Sequence, residues 1–143
     1  MNQENKEVLD EINKGCNMGK DALSVILEKS EDNGFKKIIF DILKKYDLLS
    51  EHINKLYENE VDEEPKDTST MSKIMTWYGI QMKTITDSTT SKLSELTLQG
   101  LNMGIIEGRK FLNDRKLNKE VRSIINEYVD FQEEYVEIIK NYL

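Results

Sequence analysis

Apolar residues recur at intervals of three and four positions through most of the chain, the spacing that places them on one face of an α-helix. The clearest stripe comprises Phe35, Ile38, Ile39, Ile42, Tyr46, Leu49, Ile53 and Leu56. The same spacing predicts four long helices and one short helix, over about residues 4–30, 34–59, 92–112, 119–143 and 71–85 respectively. The chain is therefore predicted to be all-α, with a single helical-bundle domain over residues 1–143.

Polar segments separate the predicted helices. Asp32-Asn33-Gly34 is a strong turn signal after the first helix. Glu58–Asp67 contains six acidic residues and Pro65, which is typical of a solvated linker. Thr68–Thr70 follows, and its hydroxyl groups can cap the short helix by accepting hydrogen bonds from free backbone N–H groups.

Segment lengths predict the topology. Long segments of this size span roughly 30–40 Å at 1.5 Å per residue. About 32 residues separate the end of the second long helix from the start of the third, which is enough chain to travel back along the bundle. The predicted arrangement is therefore up-down-down-up, with an extra short helix in one long crossover, as in ferritin-like bundles. An up-down-up-down bundle of five helices is the competing topology.

The chain resembles a family of uncharacterised bacterial ferritin-like proteins that is known only as a domain of unknown function. Val8–Ile12, together with Gly19 and Ala22, resembles the opening helix of that family. Trp77 lies where the family has its crossover helix, and Gly100–Leu112 falls in its third core helix. The resemblance covers nearly the whole chain. It implies a ferritin-like fold and supplies no reaction.

Composition narrows the classes of partner and the compartment. The net charge is −7 and the sequence pI is about 4.9, so an acidic surface is expected to repel nucleic acids and anionic membranes. Cys16 is the single cysteine, which excludes an internal disulfide and fits a reducing compartment. The polar N-terminus has no signal-peptide pattern, and no apolar run approaches the ~20 residues of a membrane span. We expect a cytoplasmic protein.

A standard di-metal site is not predicted. Active ferritin-like proteins hold two metals with glutamates from the four helices and two Glu-x-x-His pairs. This chain has one histidine, His52, and the residue three positions before it is Leu49. Neither Glu-x-x-His pair can form, and no cofactor is predicted.

A weaker metal site remains as an alternative. Glu107 occupies a core-facing position where an apolar residue is expected, and His52 lies beside the apolar stripe of the second helix. In the predicted topology these two residues and Glu11 lie at similar heights in the bundle. Together they form a candidate site for one divalent metal ion. The simpler interpretation is a buried hydrogen-bonded pair, or neutralisation of Glu107 by Arg109 or a lysine.

The remaining candidates for chemistry favour packing. Cys16 lies on an apolar face, where a thiol is inert. Gly100, Gly104 and Gly108 lie along one side of a helix and are interpreted as close packing within the bundle. The chain is therefore predicted to be no enzyme, but a ferritin-like protein that acts through binding or assembly. Its partner would be another copy, another protein or a small apolar ligand; the alternative is a degenerate divalent-metal-binding protein.

A second apolar edge on the short helix suggests self-association. Trp77 and Ile80 lie outside the stripe that faces the bundle. A helix that lies on a bundle needs only one buried face, so this edge predicts a homodimer contact. The competing interpretation places Trp77 between helices of the same chain.

Overall fold

Short polar side chains begin four helices of the computed structural model, which describes residues 1–61 and 73–143. Each accepts a hydrogen bond from the backbone N–H three residues later, which satisfies one of the free donors at a helix start. The capping residues are Asn2, Asp32, Thr89 and Asn118.

Helices account for all regular secondary structure in the described ranges, so the prediction of an all-α chain is confirmed. The helices are α1 (Gln3–Lys29), α2 (Asn33–Val61), α3 (Lys73–Lys83), α4 (Thr90–Asp114) and α5 (Lys119–Ile139), followed by a 3₁₀ turn (Lys140–Tyr142). The assignment of residues 1–143 to one domain stays a prediction.

Helix ends differ from the predicted ends by a few residues. The second helix runs into the predicted acidic linker because glutamates such as Glu58 are good helix formers. The fifth helix tightens into the 3₁₀ turn after Ile139 instead of continuing to Leu143. The rest of the predicted linker, the predicted cap at Thr68–Thr70 and the start of the short helix at Met71 lie outside the described residues.

Contacts at its first turns show the direction of α1 relative to two neighbours. The Asn5 side chain accepts a hydrogen bond of 3.0 Å from the backbone N–H of Asn118, just beyond the end of α4. The Asp10 carboxylate accepts one of 2.8 Å from the hydroxyl of Tyr57, near the end of α2. Helix α1 is therefore antiparallel to both α2 and α4.

Contacts of α5 complete the arrangement of the four long helices. Phe35, at the start of α2, packs edge-on against Tyr142, with 5.4 Å between ring centroids. Residues 115–118 connect α4 to α5, and Arg122 in the first turn of α5 donates to the carbonyl of Leu112. Helix α5 is therefore antiparallel to α2 and α4, and the apolar faces of the long helices enclose one core.

Helix α3 packs on the bundle through one face. Tyr78 and Met82 are buried, whereas Trp77 and Ile80 remain 51% and 53% exposed. The homodimer contact through Trp77 and Ile80 stays a prediction. No helix in residues 1–61 and 73–143 combines the length and apolar composition that a bilayer span requires.

Candidate ligand-binding cavity

A half-open cavity of about 600 Å³ lies between α1, α3 and α4. Tyr46 of α2 and Tyr128 of α5 also line it, so residues from all five helices contribute to its wall. Its volume falls in the range of about 300–1,000 Å³ that is typical of small-molecule sites. Protein interiors are otherwise close-packed, so a space of this size is a distinctive feature of the bundle.

Two glycines of α1 shape the cavity wall on one side. A Cβ atom at Gly19 would lie 2.7 Å from the ring of Tyr46, and one at Gly15 would collide with the hydroxyl of Tyr128. Both tyrosines are almost fully buried. The glycines therefore admit two large rings beside the α1 backbone.

Two glycines of α4 play the same part on the opposite side. A Cβ atom at Gly100 would lie 2.8 Å from the hydroxyl of Tyr78, and one at Gly104 would collide with the Gln132 side chain. The Tyr78 hydroxyl donates to the carbonyl of Leu96 at 2.9 Å, which fixes α3 against α4. The glycines of both helices therefore line the cavity and let large side chains approach the helix backbones closely.

The middle of the cavity is mainly apolar, with Thr97 and the exposed carboxylate of Asp21 also on its wall. Its side chains include the flexible thioethers of Met18, Met82 and Met103, together with Ala22 and Leu101. Methionine adapts its shape to different apolar partners, so this region accepts a range of hydrocarbon outlines.

The floor of the cavity is a fixed polar network. The Tyr46 hydroxyl donates to Gln132 Oε1 at 2.8 Å, and Gln132 Nε2 donates to the Tyr128 carbonyl at 2.8 Å. Burial raises the pKa of Tyr46 and of Tyr128 well above the ordinary tyrosine value, so both hydroxyl groups stay protonated. The floor is therefore neutral and rigid.

One end of the cavity is charged. Glu11 and Lys14 of α1 line it opposite Glu107 of α4. Burial raises the pKa of Glu107 from its ordinary value of 4.5 to about 7, with the Glu11 carboxylate adding to the rise and Lys14 opposing it. Two carboxyl groups and one lysine therefore line this end, which gives it an excess of acidic groups.

The other end of the cavity is lined by Val25, Lys29 and Lys83, and both lysines are exposed. The lining residues of α1 extend from Glu11 to Lys29, which corresponds to about 27 Å at 1.5 Å per residue. The cavity is therefore elongated, with a partly buried acidic end, an apolar middle and an exposed basic end.

The structure brings two of the three predicted metal ligands together. Glu11 and Glu107 line the same end of the cavity, whereas His52 is not part of its wall. The His52 Nδ1 atom lies 3.0 Å from the Glu127 carboxylate of α5, and both side chains are partly exposed. Among residues 1–61 and 73–143, no group of three or more histidine, cysteine, aspartate and glutamate side chains is placed to hold a metal ion. The three-residue metal site stays a prediction.

Neutralisation of Glu107 by Arg109 was one alternative from the sequence. Arg109 instead forms an ion pair of 2.9 Å with Glu133 on α5. The cation near Glu107 is Lys14, which sequence reasoning did not single out. Lys14 is 9% exposed, and it lies between Asn13 and Gly15 of α1, where no apolar neighbour in the sequence marks it as a buried lysine.

The cavity itself had a signal in the sequence. Gly15 and Gly19 are four residues apart on α1, as are Gly100 and Gly104 on α4. Each pair lies on one side of its helix, because residues four apart are neighbours on a helix surface. These stripes indicate where large side chains approach α1 and α4 closely, and all four glycines line the cavity.

Comparisons with known proteins support the fold. No family model matches the chain, and no curated protein does either. Two solved structures of CopM are similar to it: the Cu(II)-bound form with a TM-score of 0.76 and the Cu(I)-bound form with a TM-score of 0.75. Each is 10% identical, and the alignments cover 99% of this chain and 97% and 96% of the CopM chains. At this identity the similarity establishes a shared fold only.

Proposed function

We propose that this protein binds an elongated, mainly apolar small molecule in the cavity between α1, α3 and α4. The observation that carries the proposal is the cavity of about 600 Å³, which crosses an otherwise close-packed bundle. A hydrocarbon that fills it would remove apolar surface from water on both partners, worth about 25 cal/mol per Å². The cavity extends about 27 Å along α1, and one leaflet of a bilayer's hydrocarbon core is roughly 15 Å thick. The cavity is therefore longer than the hydrocarbon chain of a typical lipid.

The proposed activity is binding rather than catalysis. Burial raises the pKa of the Cys16 thiol to about 12, so at neutral pH it is a poor nucleophile. The His52 Nδ1 atom contacts the Glu127 carboxylate, and His52 is not part of the cavity wall. It is therefore not placed to act as a base on a molecule bound in the cavity.

We also propose that the bundle is ferritin-like. The support is the set of helix directions, since α1 and α5 both run antiparallel to α2 and α4. A long connection between α2 and α4 that contains α3 is consistent with the single crossover of such bundles.

Titration of the purified protein with 1-decanol in a calorimeter tests the binding proposal. We expect saturable binding of one molecule per chain. The variant Ala22→Phe should abolish this binding, because its ring would occupy the middle of the cavity. Ala22→Ser is the matched control, since it changes the same position and leaves the space open.

Two results would contradict the proposal. One is the absence of saturable heat in the titration of a wild-type protein whose native mass equals that of the chain alone. The native mass shows that no ligand was already bound in the cavity. The other is equal binding by Ala22→Phe and wild type, which would place the ligand elsewhere. Circular dichroism of both variants checks that each retains the helical fold.

Metal binding is the second candidate function, and a specific observation favours copper. Met18, Met82 and Met103 line one cavity, and thioether sulfur is a preferred ligand of Cu(I). CopM, whose fold this chain shares, has been solved in Cu(I)- and Cu(II)-bound forms. The predicted divalent site of Glu11, His52 and Glu107 belongs to the same candidate function.

Competition with a Cu(I) chelator tests the copper candidate. The triple variant with Met18, Met82 and Met103 replaced by leucine keeps the side-chain volume nearly constant, so the fold is expected to persist. Loss of Cu(I) binding in this variant would support a thioether site. A parallel titration with Zn²⁺ and Cu²⁺, comparing wild type with His52→Ala, tests the divalent site, and equal curves for those two proteins would exclude a role for His52.

A further inference from the structure

Resting on the proposed function, we propose that the ligand is a single-chain organic cation whose ammonium group lies between Glu11 and Glu107. The cavity supplies the geometry for this assignment. Its acidic end is formed by two helices that face each other, α1 and α4, and its apolar middle leads away from that end along α1. A molecule with one charged head and one hydrocarbon tail matches that division.

The groups around Glu107 define the charge at the acidic end. Helix α1 contributes Glu11, Lys14 and the neutral thiol of Cys16, and α5 contributes the neutral hydroxyl of Tyr128. Glu127 of α5 is also within electrostatic range of Cys16. Among the residues that line this end in the described part of the chain, two carboxylates therefore face one lysine, Lys14, when Glu107 is ionised.

A ligand ammonium would correct this imbalance. It would neutralise the second carboxylate and replace the repulsion between Glu11 and Glu107 by attraction to both. Glu107 lies in a partly buried position where solvent screens charges less than at the surface, so the interaction is stronger than an exposed ion pair. The net charge of −7 also attracts cations towards the protein as a whole.

An anionic head group fits the cavity less well. At the acidic end it would meet Lys14 together with two carboxylates. At the other end it would meet Lys29 and Lys83, which are exposed. Both lysines lie in the last turn of their helices, where they already interact favourably with the carbonyl end of the helix. Exposed pairs contribute little to affinity.

Three probes with the same decyl chain separate the head group from the tail: decylammonium, 1-decanol and decanoate. Calorimetric titration at pH 8 keeps Glu107 largely ionised, because its pKa is about 7. We expect decylammonium to bind about five- to tenfold more tightly than 1-decanol, which is the range for a partly solvated charge-assisted contact. Decanoate should bind most weakly of the three.

The variant Glu107→Gln tests the position of the head group. It should lower the affinity for decylammonium about five- to tenfold and leave that for 1-decanol within about twofold. Glu134→Gln is the matched control, because it removes the same charge from an exposed site on α5 outside the cavity. That control should change neither affinity by more than about twofold, since distant exposed charges are screened.

The outcomes distinguish this inference from the proposed function. Equal binding of decylammonium and 1-decanol, tighter binding of decanoate, or an equal effect of Glu107→Gln on all probes would overturn the cation assignment and leave the apolar cavity as a binding site. If none of the three probes binds, the proposed function fails and this inference fails with it.

Discussion

At the scale of single residues, glycines determine where large side chains can pack directly against a helix backbone. Gly19 lies against the ring of Tyr46, which is held by its hydrogen bond to Gln132 and cannot move aside freely. Gly79 of α3 also lines the cavity, but a Cβ atom there would meet nothing within 4 Å. A larger side chain would therefore be crowded at Gly19 and would have free space at Gly79.

Alanine substitution at these two glycines is expected to have opposite effects on the free energy of unfolding. Gly19→Ala should destabilise the protein by about 1–3 kcal/mol through overpacking, reduced by up to about 1 kcal/mol from the better helix propensity of alanine. Gly79→Ala should be neutral or stabilising by up to about 1 kcal/mol. Urea denaturation of both variants measures the difference. A stabilising Gly19→Ala would show that Tyr46 moves aside freely.

Glu107 gives the stability a dependence on pH that can be assigned a sign. Its folded-state pKa of about 7 lies above its ordinary value of 4.5, mainly because of burial and then because of Glu11. The folded state therefore binds the proton more tightly than the unfolded state. This contribution is fully present below about pH 4.5 and is lost as the pH rises through about 7.

The variant Glu107→Gln removes that titration. Between pH 5 and pH 8, we expect wild type to lose about 1–3 kcal/mol of stability relative to Glu107→Gln, because a neutral amide has no charge to desolvate at pH 8. Urea denaturation at both pH values measures this change, and Glu134→Gln should follow wild type. Parallel stability curves for wild type and Glu107→Gln would show that Glu107 titrates as an ordinary surface carboxyl.

Helical spacing in the sequence gives the faces of the helices on which these residues lie, but not all of their contacts. Helical spacing identified Glu107 as a charged residue on a core-facing position, and the structure places it beside Glu11. The same spacing grouped His52 with them, whereas His52 contacts Glu127. Periodicity gives the face of a helix, but it does not show which of two neighbouring helices a residue at the edge of that face will meet.

At the scale of secondary-structure elements, α3 packs on the bundle through Tyr78 and Met82, and Tyr78 also forms a hydrogen bond. The Tyr78 ring packs over Gly100, and its hydroxyl donates to the carbonyl of Leu96. Helix α3 also lines part of the cavity, through Tyr78, Gly79, Met82 and Lys83.

Tyr78→Phe should loosen α3 selectively. Removal of the hydroxyl loses one buried hydrogen bond, worth about 0.5–1.5 kcal/mol, while the ring still packs. We expect amide hydrogen exchange in α3 to become about two- to tenfold faster, with little change in α5. Tyr57→Phe is the matched control, since it removes a hydroxyl that joins α2 to Asp10 of α1. Faster exchange in α3 from both variants would contradict a local role for Tyr78.

Helix ends follow from local chemistry to different degrees. The break between α1 and α2 was predictable from Asp32-Asn33-Gly34, although only Asp32 lies outside the helices, where it caps α2 at Asn33. The first residue of α4 was predicted at about 92 and is Thr90, because Thr89 accepts the capping bond from Lys92. A run of serine and threonine offers several equivalent caps, so the sequence does not select among them.

At the scale of the whole molecule, the all-α architecture was predictable because apolar stripes persist through every long segment. The elongated cavity was not predicted, because its wall combines residues of helices that are distant in sequence. The helices that line it also lie on both sides of the crossover. To predict such a cavity, one must know the topology and the relative heights of the helices along the bundle. The periodicity of apolar residues gives neither.

The apolar edge of α3 leads to the last prediction, which concerns the assembly. Trp77 and Ile80 expose about half of their side-chain surface in the single chain, and the sequence predicts that a second copy covers them. We expect sedimentation equilibrium to detect wild-type dimers and Ile80→Glu to shift the protein to monomers, because a charge would have to lose its water in the contact. Ile106→Glu is the matched control, since Ile106 is equally exposed at 55% but lies on α4. A monomeric wild-type protein, or equal dissociation by both variants, would exclude this edge as the dimer contact.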